Sequence, residues 1–344
     1  MLAVPTLVKT AVCVAANFTG LSRAIAIRYR GRGTIFALHS IVEDGDRYLD
    51  ETLRCSASEL ERTLRWLKKE GVEFVSLDEA VKRLQGPPRR LFAAFTFDDG
   101  FADNLTRALP IMERFGAPFT SYVISGMITR ELDAWWFALD ALIRLQESIE
   151  LPVLGRRFEC PDRASKKRTF KLIESAIQSD PGVLPHVWMA IRQSGLDCGA
   201  VLDREALNEE QLRTLARHPL VTIGGHTATH ANLKQLSAAE VESEMTSNRK
   251  FLQDITDKPV EHFAYPFGFA GACGPREAEI ARSVGYRTAV TTRHGALFSE
   301  HIHHLHALPR VHLACDDTPS TLRCKIDGVY HAVQSRLGNP ITCM

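Results

Sequence analysis

The chain of 344 residues contains no apolar run approaching the ~18 residues that cross a bilayer, so no membrane-spanning helix is expected. It has no excess of charge of one sign. Lys and Arg number 42 against 41 for Asp and Glu, a formal net charge of +1, which makes nucleic acid a poor default partner. No C-x-x-C pair occurs. The eight cysteines (Cys13, Cys55, Cys160, Cys198, Cys273, Cys315, Cys324 and Cys343) are scattered singly and too sparse for a disulfide scaffold, so they are expected to be buried reduced thiols. Internal repeats and low-complexity tracts are also missing. What remains is an ordinary folded composition, 45% hydrophobic and 24% charged. Length alone suggests about two domains, but α/β barrels run past ~200 residues as one.

The N-terminal stretch Met1–Ala16 carries Lys9 and then an apolar run, Ala11–Ala16, shorter than the core of a secretory signal. It continues as Leu21, Ile25 and Ile27 interleaved with Arg23, Arg28, Arg30 and Arg32. That pattern fits an amphipathic helix, expected to pack on the protein's own core and also able to rest on a membrane surface. The expected location is cytoplasmic, with contact at the inner membrane left open.

Short apolar runs read as buried parallel strands at Thr34–Leu38, Leu91–Phe97, Phe119–Ile124, Leu220–Ile223, His262–Tyr265 and Thr288–Thr291. Helical signals lie between them. Ser56-Ala-Ser-Glu59 and Ser237-Ala-Ala-Glu240 are capping boxes, followed by Leu60, Leu64 and Leu67 and by Val241, Met245 and Leu252. The alternation predicts an α/β fold of layered or barrel type. From about 127 to 208 no strand is apparent. That segment, with Trp135, Trp136 and the basic Arg163–Arg168, reads as a helical insertion, its tryptophans filling a core or stacking on a sugar.

Three segments carry chemistry. Thr96-Phe-Asp-Asp-Gly100 ends an apolar strand with two carboxylates, whose burial without a partner would be costly. A regular strand would aim Asp98 and Asp99 to opposite faces, so a turn at Gly100 is needed for both to reach one site. There, one could bind a metal while the other handles protons. Gly224-Gly-His-Thr-Ala-Thr-His230 offers two imidazoles four residues apart. With one carboxylate they would leave a divalent cation an open position for water, as catalytic metal sites do. Phe263-Ala-Tyr-Pro-Phe-Gly268 ends in a turn that could present a backbone N–H to an oxyanion. The cluster His301-Ile-His-His-Leu-His306 is taken as incidental.

Together these segments resemble the motifs of the polysaccharide deacetylases, carbohydrate esterase family 4, with similarity over roughly 34–313. The resemblance implies an irregular (β/α) barrel, here with its helical insertion, spanning 34–315 between an N-terminal helical segment (1–33) and a C-terminal tail (316–344). It implies Asp98 as general base, Asp99, His226 and His230 as metal ligands, and Phe267 as donor of the oxyanion N–H. Many members place an arginine three residues before that aromatic residue, where this chain has Ala264; Arg310 is the candidate substitute and Arg293 a second. Leu308-Pro-Arg-Val-His312 only approximates the family's late histidine segment. Phe36-Ala-Leu-His-Ser40 is similar to the early histidine motif of the circularly permuted poly-N-acetylglucosamine deacetylase subgroup, which favours His39 over His312 as the acid. The implied function is removal of N-acetyl groups from an N-acetylhexosamine glycan using Zn2+, or Co2+ or Ni2+ in its place. A lipid-linked sugar precursor as substrate, or a glycan-binding homologue without activity, are the alternatives. A glycan is the expected partner, with no nucleic acid and no obligate protein.

Overall fold

The computed structural model describes residues 6–46, 48–50, 53–87, 89–132, 134–314 and 316–344, so residues 1–5 of the N-terminal stretch and Cys315 lie outside it. Its strands, in chain order, are β1 (Gly33–Leu38), β2 (Ser40–Val42), β3 (Arg54–Ser56), β4 (Glu73–Phe74), β5 (Phe92–Phe97) and β6 (Phe119–Val123). They continue with β7 (Ser148–Leu151), β8 (Arg156–Glu159), β9 (Val221–Gly225), β10 (His262–Ala264), β11 (Thr288–His294) and β12 (Leu308–His312). Seven of these form a closed parallel barrel in the order β1-β12-β11-β10-β9-β6-β5. The ring closes where β5 pairs with β1 from Gly33 opposite Phe92 to Leu38 opposite Phe97. The short β4 lies along the start of β5.

Side-chain alternation sorts each barrel strand into two sets. Ile35, Ala94, Tyr122, Ala264, Val290 and Leu308 meet in one buried cluster, while their neighbours Phe36, Phe95, Phe119, Phe263, Ala289 and Val311 join the larger core under the helices. Advancing by twos along the first set leads to His39 after β1, Asp98 after β5, Arg310 on β12 and, from Gly224, to His226. The candidate site is therefore the uppermost layer of this inner series, at the C-terminal ends of the strands, where barrel enzymes place their chemistry.

The helices form where their caps were legible. Ser56 and Ser237 each close a capping box, opening the helices Ala57–Lys69 and Ala238–Thr256. Leu60, Leu64 and Leu67 of the first are fully buried. One barrel strand, β12, was not anticipated, because Pro309 cannot donate to a ladder and argues against a central strand. It fits where the β11–β12 register is irregular, between the Val290–Leu308 and His294–Arg310 pairs.

One other expectation is corrected. The insertion contains an antiparallel hairpin, β7–β8, turned by Pro152–Leu154 and Gly155. Its strands are too short for their alternation to register; their Ile149, Leu151 and Phe158 share a small core with Leu139, Phe170 and Ile191. The segment 316–344, expected as a C-terminal tail, is helical in part. Its helices Pro319–Ile326 and Val329–Gln334 pack against α1 (Thr6–Phe18) and α2 (Leu21–Tyr29), respectively. No disulfide forms among the described cysteines, and all are buried except half-buried Cys198 and exposed Cys343.

Phe95 stacks on Phe36 at 5.7 Å and meets Phe74 edge-on at 5.2 Å. Phe95→Ala should therefore cost about 3–5 kcal/mol, read as a lower urea midpoint at unchanged m-value.

Candidate active site and metal centre

Asp98 and Asp99 follow β5 directly, and both are buried. Asp98 is still in register, its N–H donating to Leu38 O at 2.9 Å. Asp99 then turns the chain with φ 73°, followed by Gly100 at 78°, so that the two neighbouring carboxylates face one site. Left-handed backbone at a non-glycine residue is strained. Thr227 (φ 64°), His230 (57°) and Phe267 (60°) share it, so the strain gathers around this centre.

Asp98 is clamped by Arg310, itself 1% exposed. Nη1 donates to Oδ1 at 2.6 Å and Nη2 to Oδ2 at 2.7 Å, a two-pronged pair. The guanidinium is fixed in turn by Thr291 O (2.9 Å, from Nε) and Thr96 Oγ1 (3.0 Å). Burial pushes the Asp98 carboxyl up, but the charge and hydrogen bonds of Arg310 outweigh it and hold it below the usual carboxylate range. Arg293 goes elsewhere, donating to Cys343 O and Cys273 O. Ala264 is wholly buried in the inner series, and the arginine missing there is supplied from β12.

The loop after β9 brings the two histidines. Gly224 and Gly225 are both required. A Cβ on the first would meet the Tyr122 ring at 2.4 Å inside the barrel; one on the second would strike Tyr286 Oη at 2.4 Å and Asn248 Oδ1 at 2.6 Å outside it. Asn248, fully buried on the helix Ala238–Thr256, accepts from His226 N–H and donates to Thr227 O, Val123 O and Ser125 Oγ. One turn earlier, Glu244 accepts from the N–H groups of Ala228 and Thr229. Neither residue was singled out from sequence, although an asparagine within the apolar series Val241, Met245 and Leu252 was a usable signal.

Asp99, His226 and His230 offer one ligand atom each, all within 4.8 Å of one another. Asp99 Oδ1 lies 3.3 Å from His226 Nε2 and 3.6 Å from His230 Nε2, yet it is buried with no hydrogen-bond partner among the described residues. His226 Nδ1 donates to Ala264 O at 2.7 Å, which aims Nε2 at Asp99, the orientation a ligating histidine takes. Burial lowers the His230 imidazole to about 4 and keeps it neutral, as a ligand must be. For His226 burial also lowers, but Asp99 and Asp98 prevail and raise it, so the same carboxylates favour any cation placed here. An orphaned buried carboxylate oxygen beside two aimed imidazoles fits a divalent metal.

His39, after β1, places Nε2 3.9 Å from Asp98 Oδ2 across the site. Its carbonyl accepts from Asn104 Nδ2, while Asp103 accepts from Ser40 Oγ (2.5 Å) and Ile41 N–H (3.0 Å). Asp103 and Asn104, where the chain beyond β5 enters a π-helical turn, Asn104–Ala108, thus brace the end of β1. His312 is exposed, its ring 6.3 Å from that of His39. It lines a separate cavity of about 620 Å³ with Lys9, Tyr48 and Arg54.

Asp99 and His230 line a different cavity of about 360 Å³, walled by Phe267, Leu132, Trp135 and Trp136. Trp136 lies 5.8 Å from the His230 ring and Phe267 4.9 Å on another side. The tryptophans are half-buried: each packs on an apolar cluster, as core filling required, and each also lines this cavity. The N–H of Phe267 donates no hydrogen bond among the described residues, while its carbonyl accepts from Thr292 Oγ1 at 2.6 Å. His301 and His306 are occupied by Thr342 O and Tyr286 O, and the His301–His306 run forms no metal cluster among the described residues.

Residues 85–289, which hold all three motifs, match the family model described as polysaccharide deacetylase. The chain belongs to that family. The putative polysaccharide deacetylase YxkH of Bacillus subtilis is 21% identical over 247 residues, 71% of this chain; the chain spans only 61% of that relative's length. The fold resembles that of the Streptococcus pyogenes deacetylase PplD in complex with acetate (TM-score 0.57, 18% identity, covering 85% of this chain and 97% of that one). It also resembles IcaB from Ammonifex degensii (TM-score 0.55, 18% identity, 86% and 97%). β1 lies beside β12, so His39 at its end reaches the site next to the last barrel strand.

Burial pushes the Asp103 carboxyl up to about 6, despite the donors Ser40 and Ile41 N–H and the charge of Arg54. The folded protein thus holds this proton more tightly than the unfolded chain. The linked stability is present below about pH 4 and is lost as pH rises through about 6. Asp103→Asn should remove this slope, so urea titrations should show the variant gaining up to about 3 kcal/mol on wild type between those limits.

Proposed function

We propose that the protein is a metal-dependent N-deacetylase acting on N-acetylhexosamine units of a polysaccharide or oligosaccharide. The observation that carries this reading is the convergence of Asp99, His226 and His230 on one point beside a second carboxylate, Asp98, that Arg310 holds ionised. The family supports the substrate class, and the aromatic cavity at the triad supplies ring faces against which a sugar can lie. No nucleic acid and no obligate protein partner is invoked.

Asp99, His226 and His230 would hold the cation, zinc or in its place cobalt or nickel, which when bound supplies Lewis acidity to the acetyl carbonyl and makes water more acidic. Asp98 takes the proton of the attacking water; fixed by two hydrogen bonds from Arg310, it needs no reorientation to do so. The N–H of Phe267 is the donor for the oxyanion that develops on the carbonyl. His39, in its protonated form, gives a proton to the nitrogen as the C–N bond breaks, since an amine leaves poorly without one. Acetate and a free amino sugar result. His39 stands by Asp98 inside the barrel mouth, whereas His312 faces solvent and another cavity.

Acetate release from N-acetylglucosamine oligomers should vanish with a chelator and return with added zinc, and Asp98→Asn should lower kcat by about 10²–10⁴. Activity indifferent to both would falsify the mechanism. In the same assay His39→Ala should lose about 10²–10⁴ in kcat, while His312→Ala should stay within a few-fold of wild type; the reverse pattern would move the acid to His312.

A further inference from the structure

Helices α1 and α2 lie at 89° to one another, and neither is long and apolar enough to cross a membrane. They dock on the C-terminal helices through one side each. Cys13 and Ala16 of α1 bury against Cys324, Val329 and Tyr330. From α2, Ser22 Oγ donates to Asp327 Oδ2 at 2.6 Å, and Arg30 Nε, just beyond the helix, donates to Oδ1 at 3.0 Å. The sides turned away are apolar. Opposite the Cys13–Ala16 stripe, α1 presents Val8, Ala11, Ala15 and Phe18, with Phe18 92% exposed. Opposite Ser22 and Tyr29, α2 presents Ile27, 90% exposed, between exposed Arg23 and Arg28. Next to α2, the helix Val329–Gln334 and the turn after it add exposed Val333, Arg336 and Leu337.

The exposed charge on these two helices is basic. Before Glu43 the sequence contains no acidic residue and five basic ones, of which Arg30 is paired with Asp327 and Arg32 donates to Arg83 O, leaving Lys9, Arg23 and Arg28 exposed. Large exposed apolar side chains interleaved with cations match a surface that is oily beneath and negative above, and long arginine side chains can reach back to headgroups while their neighbours enter the acyl boundary. A protein partner would have to be both apolar and acidic to match it equally. We infer that α1, α2 and the adjoining C-terminal turn form a peripheral docking surface for an anionic phospholipid membrane. Lys9 of α1 also lines the 620 Å³ cavity, which holds Glu43, Asp46, Glu59 and Asp316 beside Arg54 and His312, so an acidic cavity marks the edge of this docking face.

Vesicle co-sedimentation of the full chain tests this. Binding to phosphatidylcholine vesicles containing phosphatidylglycerol should exceed binding to pure phosphatidylcholine by at least about tenfold and should fall with added salt. Phe18→Glu with Ile27→Glu, and separately Arg23→Glu, should abolish or weaken it, while the thermal midpoint and acetate release from soluble oligomers stay at wild-type values, because these side chains are outside both core and site. The inference is overturned if neutral and anionic vesicles bind alike, if the variants bind like wild type, or if bound protein resists alkaline carbonate, which would mean a spanning segment. It is equally overturned if the wild type is a dimer that the same substitutions dissociate, since a second copy would then cover this face.

Discussion

Everything at the mouth of the barrel answers to one constraint: two adjacent carboxylates are buried at the end of an apolar strand and must find positive charge. Asp98 finds it in Arg310, and that pair is a demand on the fold more than a source of stability, since a buried ion pair roughly repays its desolvation. Arg310 in turn requires a proline-bearing strand to lie between β1 and β11, with Thr96 and Thr291 placed to hold the guanidinium. Asp99 has no such internal partner. Its orphaned oxygen and the two imidazoles aimed toward it are the complement of a cation, so one half of the acidic pair is neutralised by the chain and the other is left for a ligand.

Division of labour between the two aspartates thus comes from geometry and not from residue type. The left-handed turn at Asp99 separates them. One remains in strand register under Arg310, and the other swings toward the loop after β9. That loop adopts the same unfavourable backbone at Thr227 and His230, and it is held there by Asn248 and Glu244 from a neighbouring helix. The strain is local, and the hydrogen bonds that maintain it come from outside the loop.

Much of this was legible in the sequence. Six of the seven barrel strands coincide with short apolar runs, and both capping boxes open the helices they mark, because buried parallel strands and helix starts are local patterns. The Asp-Asp pair, the spaced histidines, and Arg310 in place of an arginine at Ala264 were likewise readable as motifs. What was not legible is tertiary. Pro309 hid β12, since its fit depends on an irregular register with β11. The hairpin β7–β8 is too short to show a period. Asn248 acts on a loop some twenty residues away in sequence, and Trp136 reaches the site only through the packing of the insertion. In each case the information lies in which surfaces meet.

Closure of the ring between its first and last strands has a consequence for how the protein comes into being. Phe36 pairs with Val311, so the first strand of the barrel is flanked on one side by the last. Emerging from a ribosome, β1 can align with β5 early but must leave its other edge open until nearly the whole polypeptide has been made. The seam that joins the two ends also brings Arg310 to Asp98. A nascent chain therefore carries an uncompensated acid inside an unfinished cylinder, and productive chemistry begins only when that seam shuts.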